Sequence, residues 1–244
     1  MMSALTERPR RPKSRFFLVA SCLALAITFV GFFKTFILTS ARGTFSAPLV
    51  IYVHGGLLFL WTLFFVMQSV LIQTRKLKLH RLMGFLSLVL LPCVVSSTMA
   101  AGVYVMKRDL ALGGGQIAIS SLVGTFTSPT IFAVLVIVAI IYRRRPELHK
   151  RLMLLAMIAI IWPAFFRFRH YFPPVANPEF VFGFVLPDSM ILATMLWEKL
   201  TVGRVHAVYL TAGVALIAEN FAEVYLFDSR GWRVIANQLA GFFI

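Results

Sequence analysis

Seven long apolar stretches, each bounded by polar or basic positions, set the outline of this chain. They run over roughly residues 16–38, 48–72, 81–104, 118–142, 151–169, 180–199 and 205–227. A helix needs about 20 mostly apolar residues to cross the hydrocarbon core. The runs do not alternate with a period of two, which excludes a membrane barrel and leaves helices. The pattern predicts an all-α, polytopic membrane bundle of seven transmembrane helices. A basic cytoplasmic tail over 1–15 precedes a single membrane domain over 16–244. The first run follows a basic start, as a signal peptide would. It is too long for a signal h-region and lacks a clear cleavage site, so it reads as a retained span.

Charge sets the orientation. With the N-terminus inside, the cytoplasmic segments (the tail, 73–81, 143–151 and 198–204) hold 16 of the 24 Lys and Arg residues. The other eight fall two to each outer segment: Lys34 and Arg42, Lys107 and Arg108, Arg167 and Arg169, Arg230 and Arg233. This bias places the N-terminus in and, after an odd number of spans, the C-terminus out.

Composition agrees. The chain is 59% hydrophobic and 14% charged, with mean hydropathy +0.86; soluble domains carry nearer ~25% charged residues. The net charge of +15 comes from short clusters between apolar runs, so it points to a lipid bilayer and away from nucleic acid. Cys22 and Cys93 both lie within apolar runs, as small fillers, and support no disulfide framework or zinc pattern. "ALGGGQIAISS" lacks the Lys and Ser/Thr of a phosphate-binding loop and reads as a flexible outer loop.

Three basic connections end in a histidine at the start of a helix: His80 in "KLHRLMG", His149 in "ELHKRLM" and His206 in "GRVHAVY". The plain reading is interfacial hydrogen bonding. The sharper one is a metal or haem held by imidazoles at one depth.

A second polar layer lies toward the other face. At ~1.5 Å rise per residue, His54 lies about 9 Å and Asp188 about 12 Å into their spans, and Glu219 about 10 Å below the outer surface of a ~30 Å core. Trp162, Thr127 and Ser128 fall at the same level, with Glu223, Arg167, Arg169 and His170 above. Ionisable groups inside a span are costly and usually face the bundle interior. Glu219 and Glu223, four apart, stack on one helical face, with the arginines as natural partners. The set reads as an outward-facing polar chamber, or as interhelical contacts that hold the bundle. Pro129 and Pro163 can kink their spans near this depth, and "HYFPPVANPEF" reads as a stiff outer cover.

At "HGGLLFLWTLFFVMQSVL", "LHRLMGFLSLVLL", "LHKRLMLLAMIAII" and "GRVHAVYL", over roughly residues 50–215, the chain resembles a group of uncharacterised bacterial multi-pass membrane proteins. The resemblance implies a bacterial inner-membrane protein and supplies no activity. A fainter similarity is to small membrane cytochromes b, whose histidines hold haem; here the histidines sit at span ends.

Three functions of different classes follow. One is a protein that binds or moves a small anion, a proton or a lipid headgroup in the outer chamber. Another is a haem- or quinone-linked redox component, with haem b held by His54 and His170 or by two of His80, His149 and His206. The third is a structural or assembly factor. The chain has no strong nucleophile–base pattern, dinucleotide fingerprint or nucleotide-binding motif, so whether it is an enzyme stays open.

Overall fold

A computed structural model describes residues 15–244. The basic tail read over 1–15 therefore lies, apart from Arg15, outside the described residues. Among these the structure is all helical, 83% helix and without strands. Six helices are long and apolar enough to cross a membrane: α1 Phe16–Ala41, α2 Leu49–Gln73, α4 Ser87–Ala111, α5 Gly115–Ile141, α6 Pro146–His170 and α7 Glu179–Val202. A short helix, α3 Leu77–Gly84, joins α2 to α4. The last span candidate is a bent pair, α8 Tyr209–Leu226 and α9 Arg230–Ala240, at 88° to each other.

The long apolar runs form these helices, but their ends differ from the sequence reading. The third span begins at Ser87, and "KLHRLMG" forms the separate α3. His80 thus precedes the span instead of opening it. The glycine-rich "ALGGGQIAISS" is mostly helical: only Leu112 to Gly114 connect α4 to α5, with Gly113 at φ 87° and Gly115 at φ 55°. Cys22 and Cys93 are exposed free thiols, so they fill no core gap.

α6 is the central helix, and α1, α5, α7 and α8 pack around it. Nearly every residue from Arg151 to Phe165 is buried. Small residues permit the closest approaches. A Cβ on Gly31 of α1 would collide with the backbone of Ala164 on α6, and one on Gly102 of α4 would collide with the Thr125 side chain of α5. Across the remaining interfaces, Trp61 of α2 meets Phe132 of α5 edge to face at 5.0 Å. Phe16 of α1 stacks on Trp197 of α7 at 3.9 Å. The outward surface is rich in large apolar side chains such as Val19, Leu63, Val134, Leu192 and Leu196, as a lipid-facing surface requires.

The bend between α8 and α9 has a local cause. Asp228 takes a left-handed backbone, φ 61°, which Asp tolerates better than most residues. Ser229 then caps α9, its Oγ accepting from Trp232 N at 3.3 Å. The turn is tied to the start of α5: Ser120 Oγ donates to Asp228 Oδ1 at 2.6 Å, and Trp232 Nε1 donates to the Ser120 carbonyl at 2.8 Å. Arg233 closes an ion pair with Asp228. Beneath, Ala240 packs with Met106 and Leu122. The bonds from Arg233 and Ser120 hold the Asp228 carboxyl below its usual range. A depressed carboxyl contributes stability that is present above its unfolded value and lost as pH falls through its folded value. α9 should therefore undock selectively as pH drops into the acid range. Hydrogen exchange over 230–240 checks this, and Asp228→Asn should give the same fast exchange at neutral pH.

Candidate functional site

Polar chemistry lies on two sides of α6, at the end of the bundle away from the basic connections. Toward α5, Trp162 donates from Nε1 to Ser128 Oγ at 3.2 Å. That leaves the Ser128 hydrogen for Glu223 Oε2 of α8, 3.4 Å away. Thr127 Oγ1 is 3.1 Å from the same carboxyl oxygen and 3.0 Å from the Val123 carbonyl. Gly124 makes the space, since a Cβ there would collide with Glu223 Oε1. Glu219, one turn before Glu223, also lies beside Thr127 and interacts electrostatically with both Glu223 and Asp188.

Asp188 belongs to α7, just after a π-helical segment, Glu179–Val185; such segments recur at functional sites. It is only 3% exposed. Its Oδ1 accepts from Asn220 Nδ2 at 2.8 Å, whereas its Oδ2, like Glu219 Oε1, is buried without a partner. Three carboxyls from two helices thus meet two hydroxyls of α5, an amide of α8 and the indole of α6.

Proton counting defines what this arrangement can do. Thr127 has one hydroxyl hydrogen and two acceptors in reach. If the hydrogen points to Val123, the contact with Glu223 needs a proton on the carboxyl. If it points to Glu223, the carboxyl only accepts. A rotation of the hydroxyl therefore fits either protonation state, with heavy atoms in place.

The cations do not stand over the carboxyls. Arg167 donates from Nη1 to the Pro163 carbonyl at 2.8 Å and lies 4.0 Å over the Phe32 ring of α1. Arg169 donates to the Phe166 carbonyl at 3.2 Å and covers its own neighbour's ring at 3.8 Å. The exposed His170 offers its carbonyl to Lys34 Nζ at 3.0 Å. Among the described residues none of these cations is within ion-pair distance of Asp188, Glu219 or Glu223. His54, on α2, lies within electrostatic reach of Arg167, and its Nδ1 is buried without a partner. Depth along a helix, which a residue count supplies, carries no information on azimuth. The layer is accordingly divided, with carboxyls on the α5–α7–α8 side of α6 and His54 with Arg167 on the α1–α2 side.

At the opposite end the seam histidines take separate roles. His80 and His149 face each other with ring centroids 6.4 Å apart, and His149 Nδ1 is 2.8 Å from the Ala139 carbonyl. His206 caps its own turn, its Nδ1 accepting from Val208 N at 3.2 Å. Among the described residues no three His, Cys, Asp or Glu are grouped to hold a metal ion.

The buried charge at this end is a pair that the sequence reading missed. Arg151 of α6 and Glu198 of α7 are 6% and 1% exposed. Arg151 Nε donates to Glu198 Oε1 at 2.7 Å, and Nη2 reaches the same oxygen. Nη1 turns back to Glu147 Oε2 at 2.7 Å. Glu198 Oε2 accepts from His206 N at 2.8 Å. The charge pattern places Arg151 among the orienting charges of a loop; an acid four residues from the end of α7 is the signal of its partner. Asn220 and Gly124 were likewise missed, because neither is ionisable. Comparison with family models, with curated proteins and with solved structures gives no match to this chain.

Proposed function

We propose that this chain is a seven-span protein of a bacterial inner membrane, N-terminus inside and C-terminus outside. Its carboxyl cluster on α7 and α8 binds and releases a proton from the outer side. The apolar helices make it consistent with an integral membrane protein. The observation that carries the proton reading is the cluster of Asp188, Glu219 and Glu223, with no cation against it among the described residues and with Asp188 Oδ2 and Glu219 Oε1 unpartnered. An anion would meet three carboxyls there. A metal would need a convergent ligand set, which the described residues lack. Proton relays through membranes are built from such intramembrane carboxyls, and coupled carboxyls titrate as one unit.

The test is pH-titrated infrared spectroscopy of the purified chain, reading the protonated-carboxyl stretch. Wild type should show a titrating band. Asp188→Asn and Glu223→Gln should each alter the whole profile, because the groups are coupled, while the melting temperature moves by less than about 4 °C, the equivalent of roughly 1 kcal/mol or less. A profile without a titrating carboxyl, or variants that change stability and leave the band alone, would return the cluster to a packing role.

A further inference from the structure

We infer that Arg167, His54 and Thr35, on the α1–α2 side of α6, form a separate site for a phosphate oxyanion, carried by a lipid headgroup or free in solution. This goes beyond the proton reading and uses none of its residues.

Arg167 is a half-buried cation with no acidic partner among the described residues. One carbonyl and the Phe32 ring are its contacts; together they fix the guanidinium and leave part of its donor fork unused. A planar fork of this kind matches the geometry of phosphate. Two further orphans each lie one helical turn from a residue that lines a common cleft with Pro163, Thr35 from Phe32 and His54 from Leu58. His54 Nδ1 is buried and unpartnered on the helix facing Arg167. Thr35 Oγ1 is buried and unpartnered on α1, three residues after the Phe32 over which Arg167 lies. Thr35 sits in a π-helical segment, Phe33–Ile37, again the kind of irregularity found at sites. A hydroxyl, an imidazole and a guanidinium offer complementary donors to one oxyanion.

The surroundings admit a ligand from the side. Beside His54, Gly55 and Gly56 have open space where a Cβ would stand. Below Arg167 an apolar cleft between α1, α2 and α6 is lined by Thr28, Phe32, Leu58, Thr62 and Ile160, with Pro163 at its upper edge. Both hydroxyls in the cleft are already bonded to their own helices, Thr28 to Ala24 and Thr62 to Leu58. The unsatisfied polar groups are therefore one turn beyond the cleft, where a headgroup would lie; the cleft itself, about 20 Å³, is too small to enclose an acyl chain, which would lie across its apolar opening.

Thermal melts of the intact chain in neutral detergent test this against three additives: inorganic phosphate, phosphatidylglycerol and the uncharged lipid diacylglycerol. Stabilisation by phosphatidylglycerol alone assigns a lipid headgroup; stabilisation by inorganic phosphate at similar concentration assigns the free ion. In either case Arg167→Gln should weaken the half-saturating concentration at least about tenfold, the loss of a charge-assisted fork. Arg169→Gln, which removes the same charge two residues away, should change it less than about twofold, since Arg169, half-buried like Arg167, is turned onto the carbonyl and ring of Phe166 instead of onto α1. Thr35→Val, which alters no charge, should give a smaller loss in the same direction as Arg167→Gln. Glu223→Gln should leave it unchanged, which separates this site from the proton cluster. No response to phosphate or phosphatidylglycerol, an equal response to diacylglycerol, or equal losses in Arg167→Gln and Arg169→Gln would overturn the site.

Discussion

Glu198→Ala should destabilise the chain by about 3–5 kcal/mol, the usual cost of removing one partner from a buried ion pair. Arg151 is bonded through three nitrogens, and two of them reach Glu198. Truncating the acid leaves a guanidinium buried against Glu147 alone, and it strips the His206 amide of its acceptor as well. The damage should spread to the connection from α7 to α8, because Glu198 accepts there from the His206 amide. Replacing both partners, Arg151→Met with Glu198→Met, should recover much of the loss, since apolar pairs of similar volume often match or exceed a buried salt bridge. Denaturant titration of the single and double variants in micelles measures both effects. Single variants within 1 kcal/mol of wild type would mean that the pair is solvated and contributes little.

Gly31→Leu should separate α1 from α6. Even a Cβ at Gly31 would occupy the position of the Ala164 backbone, and backbone cannot rotate away as a side chain can. Gly31→Ala should cost about 1–3 kcal/mol, the range for overpacking a close contact, and Gly31→Leu more. Gly102→Ala is the instructive comparison. Its obstacle is the Thr125 side chain: a rotamer change can swing the hydroxyl and methyl but leaves the Thr125 Cβ at 2.8 Å, a milder clash than that of a Cβ at Gly31 with the Ala164 carbonyl oxygen, so its cost should be the smaller. The order of the two alanine variants, read from melting temperatures, checks the argument. The reverse order would show that α1 is free to shift. Any shift of α1 would also carry Phe32 off Arg167, so phosphate binding should fail together with packing in Gly31→Leu.

The spans were legible because lipid makes a simple demand, about 20 apolar residues per crossing, and that demand is written locally. The helix ends were less so. Leu77 to Gly84 carries the basic, histidine-containing seam that reads as the opening of a span, yet it forms a short helix of its own with no buried residue, and the span begins only at Ser87. The glycine run at 113–115 suggested a loose loop. Gln116 to Ser120 are helical, and Asp228 and Trp232, more than 100 residues on, bond to Ser120 at the end of that turn. The polar layer was visible as a set of equal depths. Which residues face one another depends on helix rotation, and rotation is set by contacts such as Gly31 on Ala164 that no single run of sequence reveals. The partner of Arg151 was hidden for the same reason. A cationic residue near a helix start reads as an orienting charge until its acid, 47 positions later, is placed against it.

That interval has a consequence during biosynthesis. A membrane chain emerges from the ribosome in order, so α6 leaves the exit tunnel well before Glu198 does. During that time Arg151 has only Glu147, one turn away, as a counter-ion. α6 and α7 are also the least apolar of the six long helices, each with a peak hydropathy of 1.7 against 1.9–2.5 for the others. Both are apolar enough to cross, yet the least so of the six, and each carries the charge that neutralises the other. The two therefore enter the bilayer most favourably as a hairpin, held at the insertion channel until the second has been made. The helix that ends up at the centre of the bundle is the one whose delivery has to wait.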